Sequence, residues 1–291
     1  MSSDADAFRT ALRSSKNIIA IAGAGLSAAS GIPTFRSANG LWRNHDPVQL
    51  ATPQAFDKNP SLVWQFYNTR RTTALNASPN AAHMALAMLC CPDMLQVLAP
   101  SQANFTLITQ NIDGLSTRAL KDVLAKRDGE RQDSQPSMIY EMHGRLFDII
   151  CTTCSHIETN YDPSLCPALS ETQQNCSNDK NTCADIPLEL LPRCAKCGGL
   201  LRPGVVWFDE KPRHLTQIWS LVDKADMCLV IGTSNTVQPA AGFACEVKDH
   251  GGTVAVFNVE WNPDPEFDLN PDFLFLGPCE ETLPKVLFNI D

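Results

Sequence analysis

Residues 17–28 read Asn17-Ile18-Ile19-Ala20-Ile21-Ala22-Gly23-Ala24-Gly25-Leu26-Ser27-Ala28. An unbroken apolar run ends in Gly-x-Gly-x-x-Ala. Continuous apolarity marks a strand buried on both faces, as in a parallel sheet covered by helices. The glycines permit a tight turn and let backbone N–H groups approach a pyrophosphate at a helix N-terminus. Taken alone, the turn is also compatible with a plain strand–helix connection. Similar runs recur at Phe105–Asn111, Met138–Gly144, Met227–Thr233 and Val254–Val259, with Phe273–Gly277 as a late strand. Helical text lies between them: Ser61–Leu75, with Ser61 placed to cap, then Asn80–Leu89 and Leu215–Val222. This alternation predicts an α/β fold, a Rossmann-like doubly wound parallel sheet.

The text then departs from a dehydrogenase. That fingerprint continues into a second strand ending in an acid about 20 residues on. Here Gly31-Ile32-Pro33 cuts the helix short, and Asp46 precedes Pro47 with no strand before it. Glu260, after Val254–Val259, is a better acid for a ribose, though it also reads as a solvated loop carboxylate. Gln110-Asn111-Ile112-Asp113, His143-Gly144 and Gly232-Thr233-Ser234 follow three other strands. One polar strand end is a turn, but four on one edge of a parallel sheet describe a site.

From Cys151 to about Leu201 the sequence turns polar and rich in cysteine. Cys151-x-x-Cys154 and Cys194-x-x-Cys197-Gly198-Gly199 form two knuckles with 39 residues between them. Four thiolates suit one tetrahedral Zn²⁺ and leave no open position, so the metal is read as structural. Cys166, Cys176 and Cys183 are read as free or buried thiols. The expected division is a core of residues 1–147 and 202–291, with 148–201 as the zinc-binding module. Gln132–Ser137 is read as a loop.

The chain has 291 residues, 44% hydrophobic and 19% charged, enough for a large and a small domain. A net charge of −9 argues against nucleic acid as a partner. No apolar run approaches the roughly 20 residues needed to cross a bilayer. Met1–Lys16 lacks the apolar core of a secretory signal, and Asp4 and Asp6 speak against a transit peptide. Twelve cysteines without a secretory signal favour metal binding or burial over disulfides.

Together these residues resemble the sirtuin family of NAD-dependent protein deacylases. Gly23-Ala24-Gly25-Leu26-Ser27 and Gly31-Ile32-Pro33-Thr34-Phe35-Arg36 look like its first signature, and Thr109-Gln110-Asn111-Ile112-Asp113 like its second. His143-Gly144, the cysteine pairs, Val205-Val206-Trp207-Phe208, Gly232-Thr233-Ser234 and Asn258-Val259-Glu260 follow in order. Phe208-Asp209-Glu210 departs from the commoner Phe-Gly-Glu, which touches the backbone beside the substrate groove.

The resemblance implies that the acyl-lysine carbonyl oxygen attacks the NAD⁺ ribose while nicotinamide leaves. His143 would act as general base, with Asn111 and Asp113 beside it in the catalytic set. Gly23, Ala24, Gly25, Ser27, Gly232, Thr233 and Ser234 would hold the diphosphate. Gln110 and Asn111 would hold the nicotinamide ribose, and Ile112 and Asp113 the carboxamide. Phe35 and Arg36 would cover and steady the cofactor. Asn258, Val259 and Glu260 would meet the adenosine ribose, and Cys279 would contact adenine through its backbone. Val206, Trp207 and Phe208 would pair with the substrate peptide as an added strand.

A class III branch, removing succinyl, malonyl and glutaryl groups, is implied by Tyr67-x-x-Arg70 and by Ala51 in the acyl pocket. Residues 34–80 would form a helical and loop insert lining the cofactor and acyl pocket. Positions i and i+3 share a helix face, and an arginine fork matches a carboxylate. Without the resemblance, Tyr67 and Arg70 are equally a core aromatic beside a surface arginine, and Arg71 reads as a surface arginine. The expected partners are acyl-lysine proteins or peptides, without direct nucleic acid or membrane, in the mitochondrial matrix or in cytosol or nucleus; the oligomeric state is left open, with a monomer favoured. The rivals are an NAD dehydrogenase, a non-enzymatic zinc-bearing NAD sensor, and a sirtuin acting mainly as deacetylase or ADP-ribosyltransferase.

Overall fold

The structure, a computed structural model, describes residues 1–34, 41–127, 138–175, 184–261 and 269–289. Phe35, Arg36, Cys176, Cys183 and the Gln132–Ser137 loop lie outside them. The large sheet is built from β1 (Asn17–Ala22), β2 (Asn104–Thr109), β3 (Ile139–Glu141), β7 (Met227–Ile231), β8 (Thr253–Asn258) and β9 (Phe273–Leu276). Its order is β3-β2-β1-β7-β8-β9, and every pairing is parallel. The strand order therefore reverses between β1 and β7, next to Gly23.

Alternation along β1 explains the two helical layers. Ile18, Ala20 and Ala22 join Phe8, Leu12, Leu86, Leu89, Leu283 and Leu287 on one face. Ile19 and Ile21 join Ile218, Val222, Phe243 and Val247 on the other. The first layer includes Ala5–Ser14, a helix not expected from the sequence. Asp4 caps it, and Phe8 and Leu12, one turn apart, are its buried residues. Among the described residues no single helix is long and apolar enough to cross a membrane.

A second sheet is antiparallel, in the order β5 (Ile157–Thr159), β4 (Gly144–Cys151), β6 (Leu201–Val205). It reaches past residues 148 and 201 on both sides. The apolar text of Leu146, Phe147, Ile149 and Ile150 continues from the core strand, so composition shows no break before Cys151. β3 is correspondingly short, because Gly144 (φ 78) already turns the chain into β4.

Helix Pro60–Asn76 packs on this small sheet. Trp64, Tyr67, Leu146, Ile149, Leu201, Val205 and Trp207 share one core. The helix starts at Pro60 and is capped by Asn59, whose side chain accepts from Leu62 N. Ser61, the expected cap, is buried and accepts instead from Ile186 N at 2.8 Å. Trp64 Nε1 donates to Leu201 O at 2.8 Å.

Arg71 corrects its reading as a surface arginine. It is 1% exposed and donates to Leu146 O at 2.6 Å, Asn160 O at 2.8 Å and Asp162 O at 3.1 Å. Burial pulls its guanidinium down to about 10, still charged at neutral pH. Hydrogen bonds to a charged group contribute about 1.5–3 kcal/mol each, and deleting this one also strands buried carbonyls. Arg71→Met is expected to cost about 3 kcal/mol or more, measured as the loss of unfolding free energy in urea. A loss under about 1 kcal/mol would mean that water replaces the guanidinium without strain.

Candidate active site

Two strand ends meet backbone to backbone at the reversal point. Gly23 N donates to Ile231 O at 2.9 Å and Gly25 N to Gly232 O at 2.7 Å. A Cβ on Gly25 would stand 2.8 Å from Gly232 Cα, so the approach requires glycine. Ala24–Ser30 winds as a 3₁₀ helix and is stopped by left-handed Gly31. Open α/β sheets bind ligands at such a crevice.

Neighbouring strand ends are tied into it. Buried Thr233 accepts from Gln110 Nε2 at 3.2 Å through its hydroxyl and from Asn258 Nδ2 at 3.0 Å through its carbonyl. Ser234 Oγ lies 2.9 Å from Thr236 Oγ1. Val259 and Glu260 are exposed just beyond β8. Cys279 Sγ points at Gly25 O, and burial pushes its thiol up to about 12, so the sulfur stays protonated.

Behind the loop sits a buried polar network. Ser27 Oγ donates to Asp113 Oδ2 at 2.7 Å and receives Asn111 Nδ2 at 3.2 Å. Asn111 also donates to Gly23 O, and Asp113 Oδ1 accepts Leu115 N. Burial raises the Asp113 carboxyl above its usual range. His83 completes the network and was missed in the sequence. It is 1% exposed, with Nε2 at 3.3 Å from Ser27 Oγ and Nδ1 accepting from Asn80 N. The available signal was Asn80-x-x-His83, a reciprocal helix cap with histidine in the place usually held by Glu or Gln.

His143 follows β3 and faces the same edge. Its Nδ1 lies 3.1 Å from Gln110 O, which can only accept. The proton of neutral His143 therefore sits on Nδ1, and Nε2 keeps its lone pair. Burial lowers its pKa, partly offset by that bond.

On the substrate side, Ala51 is buried and Ala51 O accepts Phe208 N at 2.9 Å. Val206 N donates to His143 O at 2.8 Å and Trp207 N to Glu210 Oε2 at 2.8 Å. All three N–H groups of the expected docking edge are thus engaged within the chain, and Trp207 O accepts Glu210 N at 3.1 Å. Asp209 holds φ 69, a value that glycine adopts at less cost. Tyr67 is 2% exposed, and Arg70 lies against Phe66 at 4.6 Å. Tyr67 and Arg70 stand three positions apart on the helix and so share a face.

The four knuckle cysteines converge, with all sulfurs within 4.8 Å of one another. Cys151 Sγ and Cys197 Sγ lie 3.4 Å apart, and Cys154 Sγ and Cys194 Sγ 3.8 Å apart. A tetrahedron with ~2.3 Å metal–sulfur bonds has edges of about 3.8 Å. Thr153 N and Cys154 N both point at Cys151 Sγ, which suits a thiolate. The cluster fits one structural zinc.

The Sir2 family model matches residues 23–239. The chain belongs to the Sir2 family. This Sir2 chain is 42% identical over 290 residues to the zebrafish (Danio rerio) protein named NAD-dependent protein deacylase sirtuin-5, mitochondrial, covering 98% of this chain and 87% of the relative. It is 44% identical over 285 residues to the dog (Canis lupus familiaris) protein of the same name, covering 96% and 84%. A crystal structure described as a Sir2 homolog–NAD complex superposes with a TM-score of 0.75 at 34% identity, covering 98% of this chain and 93% of that one.

Two outcomes follow for this Sir2 chain. Elemental analysis of the purified protein should find about one zinc per chain, and chelation should unfold the small sheet, since metal binding here is also folding energy. Zinc-free protein with an intact fold would contradict this. The second concerns acid. Burial holds folded His83 near 4, against 6.5 when unfolded. A depressed folded pKa gives stability that is full above the unfolded value and lost as pH falls toward the folded one. Unfolding free energy should drop between about pH 6.5 and 4, by up to about 3 kcal/mol. His83→Gln should flatten that slope, and an unchanged slope would assign it to other groups.

Proposed function

We propose that this chain is an NAD⁺-dependent protein-lysine deacylase preferring acyl groups that end in a carboxylate: succinyl, malonyl and glutaryl. The carrying observation is the paired placement of Tyr67 and Arg70 on one face of helix Pro60–Asn76, with small, buried Ala51 also in its core. A guanidinium and a phenol together supply charge and two kinds of donor for a terminal carboxylate. Neither is needed for a neutral acetyl group. The deacylase names of the zebrafish and dog relatives support the activity. Their mitochondrial names make the matrix the compartment to test first.

NAD⁺ enters as a substrate. Gly23, Ala24, Gly25, Ser27, Gly232, Thr233 and Ser234 are assigned to its diphosphate. Gln110, Asn111, Ile112 and Asp113 are assigned to the nicotinamide side, and Asn258, Val259, Glu260 and the Cys279 backbone to the adenosine side. Val206, Trp207 and Phe208 are assigned to the peptide. His143 draws a proton from the ribose hydroxyls through Nε2, and the products are free lysine, nicotinamide and O-acyl-ADP-ribose. A dehydrogenase reading lacks support, because β2, beside β1, runs into Thr109, Gln110 and Asn111 rather than a ribose-reading acid.

Two variants test these roles. His143→Ala should abolish turnover and largely preserve NAD⁺ binding, because the imidazole acts in the chemistry. In the wild type, its depressed pKa should put the acid limb of kcat/KM below about pH 6.5, the ordinary imidazole value. Normal turnover in the variant would return His143 to a structural role. Arg70→Met should lower kcat/KM for succinyl peptide by about 10- to 100-fold, from about 1.5–3 kcal/mol of charged hydrogen bonding. Acetyl peptide should hardly change. Equal losses on both would make Arg70 a support of fold or cofactor.

A further inference from the structure

The sequence leaves Trp207 as one residue of a peptide-docking edge, but its side chain is engaged elsewhere. The indole is 3% exposed and packs against Phe56 with centroids 5.3 Å apart. The Arg202 guanidinium lies 3.6 Å over its ring. Arg202 is itself fixed by Glu210, through Oε1 at 2.6 Å and Oε2 at 2.9 Å, and donates to Val205 O at 2.9 Å. Glu210 Oε2 also accepts Trp207 N. One ion pair therefore clamps both the backbone and the ring of Trp207. At the far end of this clamp, Trp207 Nε1 donates to Tyr67 Oη at 3.0 Å in a buried bond.

An indole N–H only donates. The Tyr67 oxygen is thus the acceptor in this pair. A phenol O–H rotates between positions near the ring plane, and turning it toward the indole hydrogen would set two donors against each other. The Tyr67 proton is left directed away from Trp207.

We propose that Trp207, held by Arg202 and Glu210, is a positioning residue for acyl selectivity, presetting the Tyr67 hydroxyl as a donor to the terminal carboxylate of the acyl group. The inference rests on the carboxylate-acyl reading above and adds to it the device that orients the phenol. Burial raises the phenol far above its ordinary value, so the proton to be donated is present at every working pH. The donated indole bond also polarises the phenol, and hydrogen bonds in series strengthen one another.

The test is a double-mutant cycle on the ratio of kcat/KM for succinyl peptide to kcat/KM for acetyl peptide. Wild type, Trp207→Phe, Tyr67→Phe and the double variant are compared with NAD⁺ saturating. Phenylalanine keeps an aromatic ring and removes the N–H. Each single change should lower the ratio by about 2- to 13-fold, the range for one net hydrogen bond of about 0.5–1.5 kcal/mol. The loss should appear in KM for the succinyl peptide, and the double variant should fall no further than Tyr67→Phe. A ratio lowered by Tyr67→Phe and untouched by Trp207→Phe overturns the inference and leaves the acyl reading standing. Losses that multiply in the double variant overturn it as well, since Trp207 would then act independently of the hydroxyl. A wild-type ratio near one overturns both.

A measurement that keeps Trp207 in place covers the case in which Trp207→Phe does not fold. Among the five indole ¹H–¹⁵N resonances of the ¹⁵N-labelled protein, the Trp207 signal is the one displaced by Tyr67→Phe. It should move downfield when succinyl peptide is added without NAD⁺, as the phenol oxygen becomes a stronger acceptor, and stay still with acetyl peptide. The same response to both peptides overturns the inference.

Discussion

Everything at the candidate site depends on two strand ends touching without side chains between them. Gly25 N bonds Gly232 O at 2.7 Å, and a Cβ on Gly23 would stand 2.6 Å from Thr233 Cβ. Only that approach brings the loops after β1 and β7 into one crevice. Gln110 and Asn258 are then anchored on Thr233 from strands on either side. Ser27, Asn111, Asp113 and His83 fill the space behind with mutually satisfied polar groups, which a buried network requires.

Helix Pro60–Asn76 is the second organising element. One turn of it carries Tyr67, Arg70 and Arg71, three side chains with separate duties. Arg71 binds the small sheet and the loop following β5 through carbonyls of Leu146, Asn160 and Asp162. Tyr67 joins the helix to Trp207. The residues proposed to read the acyl group therefore stand on the element that fixes the zinc-bearing sheet, which suits precision better than a loop would.

The parallel strands were legible because Asn17–Ala22, Met227–Ile231 and Thr253–Asn258 are apolar on both faces. The small sheet was legible only from its cysteines. Its first strand shares the apolar text of the core strand before it, and the handover happens at Gly144, whose positive φ carries no hydropathy signal. Adjacent arginines could not be told apart either. Arg70 and Arg71 differ by one helical step, and only the docking of the helix decides which is buried to 1%. Helix Ala5–Ser14 did carry a signal, Phe8 and Leu12 one turn apart among polar residues behind a capping Asp4, but the segment is short and its buried stripe is only two residues. His83 was hidden because its role as a cap is local while its bond to Ser27 spans 56 residues.

The central claim is that NAD⁺ cleavage in this chain is coupled to removal of a carboxylate-bearing acyl group. The direct measurement is a competition between succinyl-lysine and acetyl-lysine versions of one peptide, at equal concentration with NAD⁺ and purified protein. Mass spectrometry follows each peptide, nicotinamide and the acyl-ADP-ribose product. The succinyl peptide should be consumed first, with one nicotinamide and one O-succinyl-ADP-ribose formed for each lysine freed. Consumption of the acetyl peptide at an equal or greater rate, or loss of acyl groups without nicotinamide release, would contradict it.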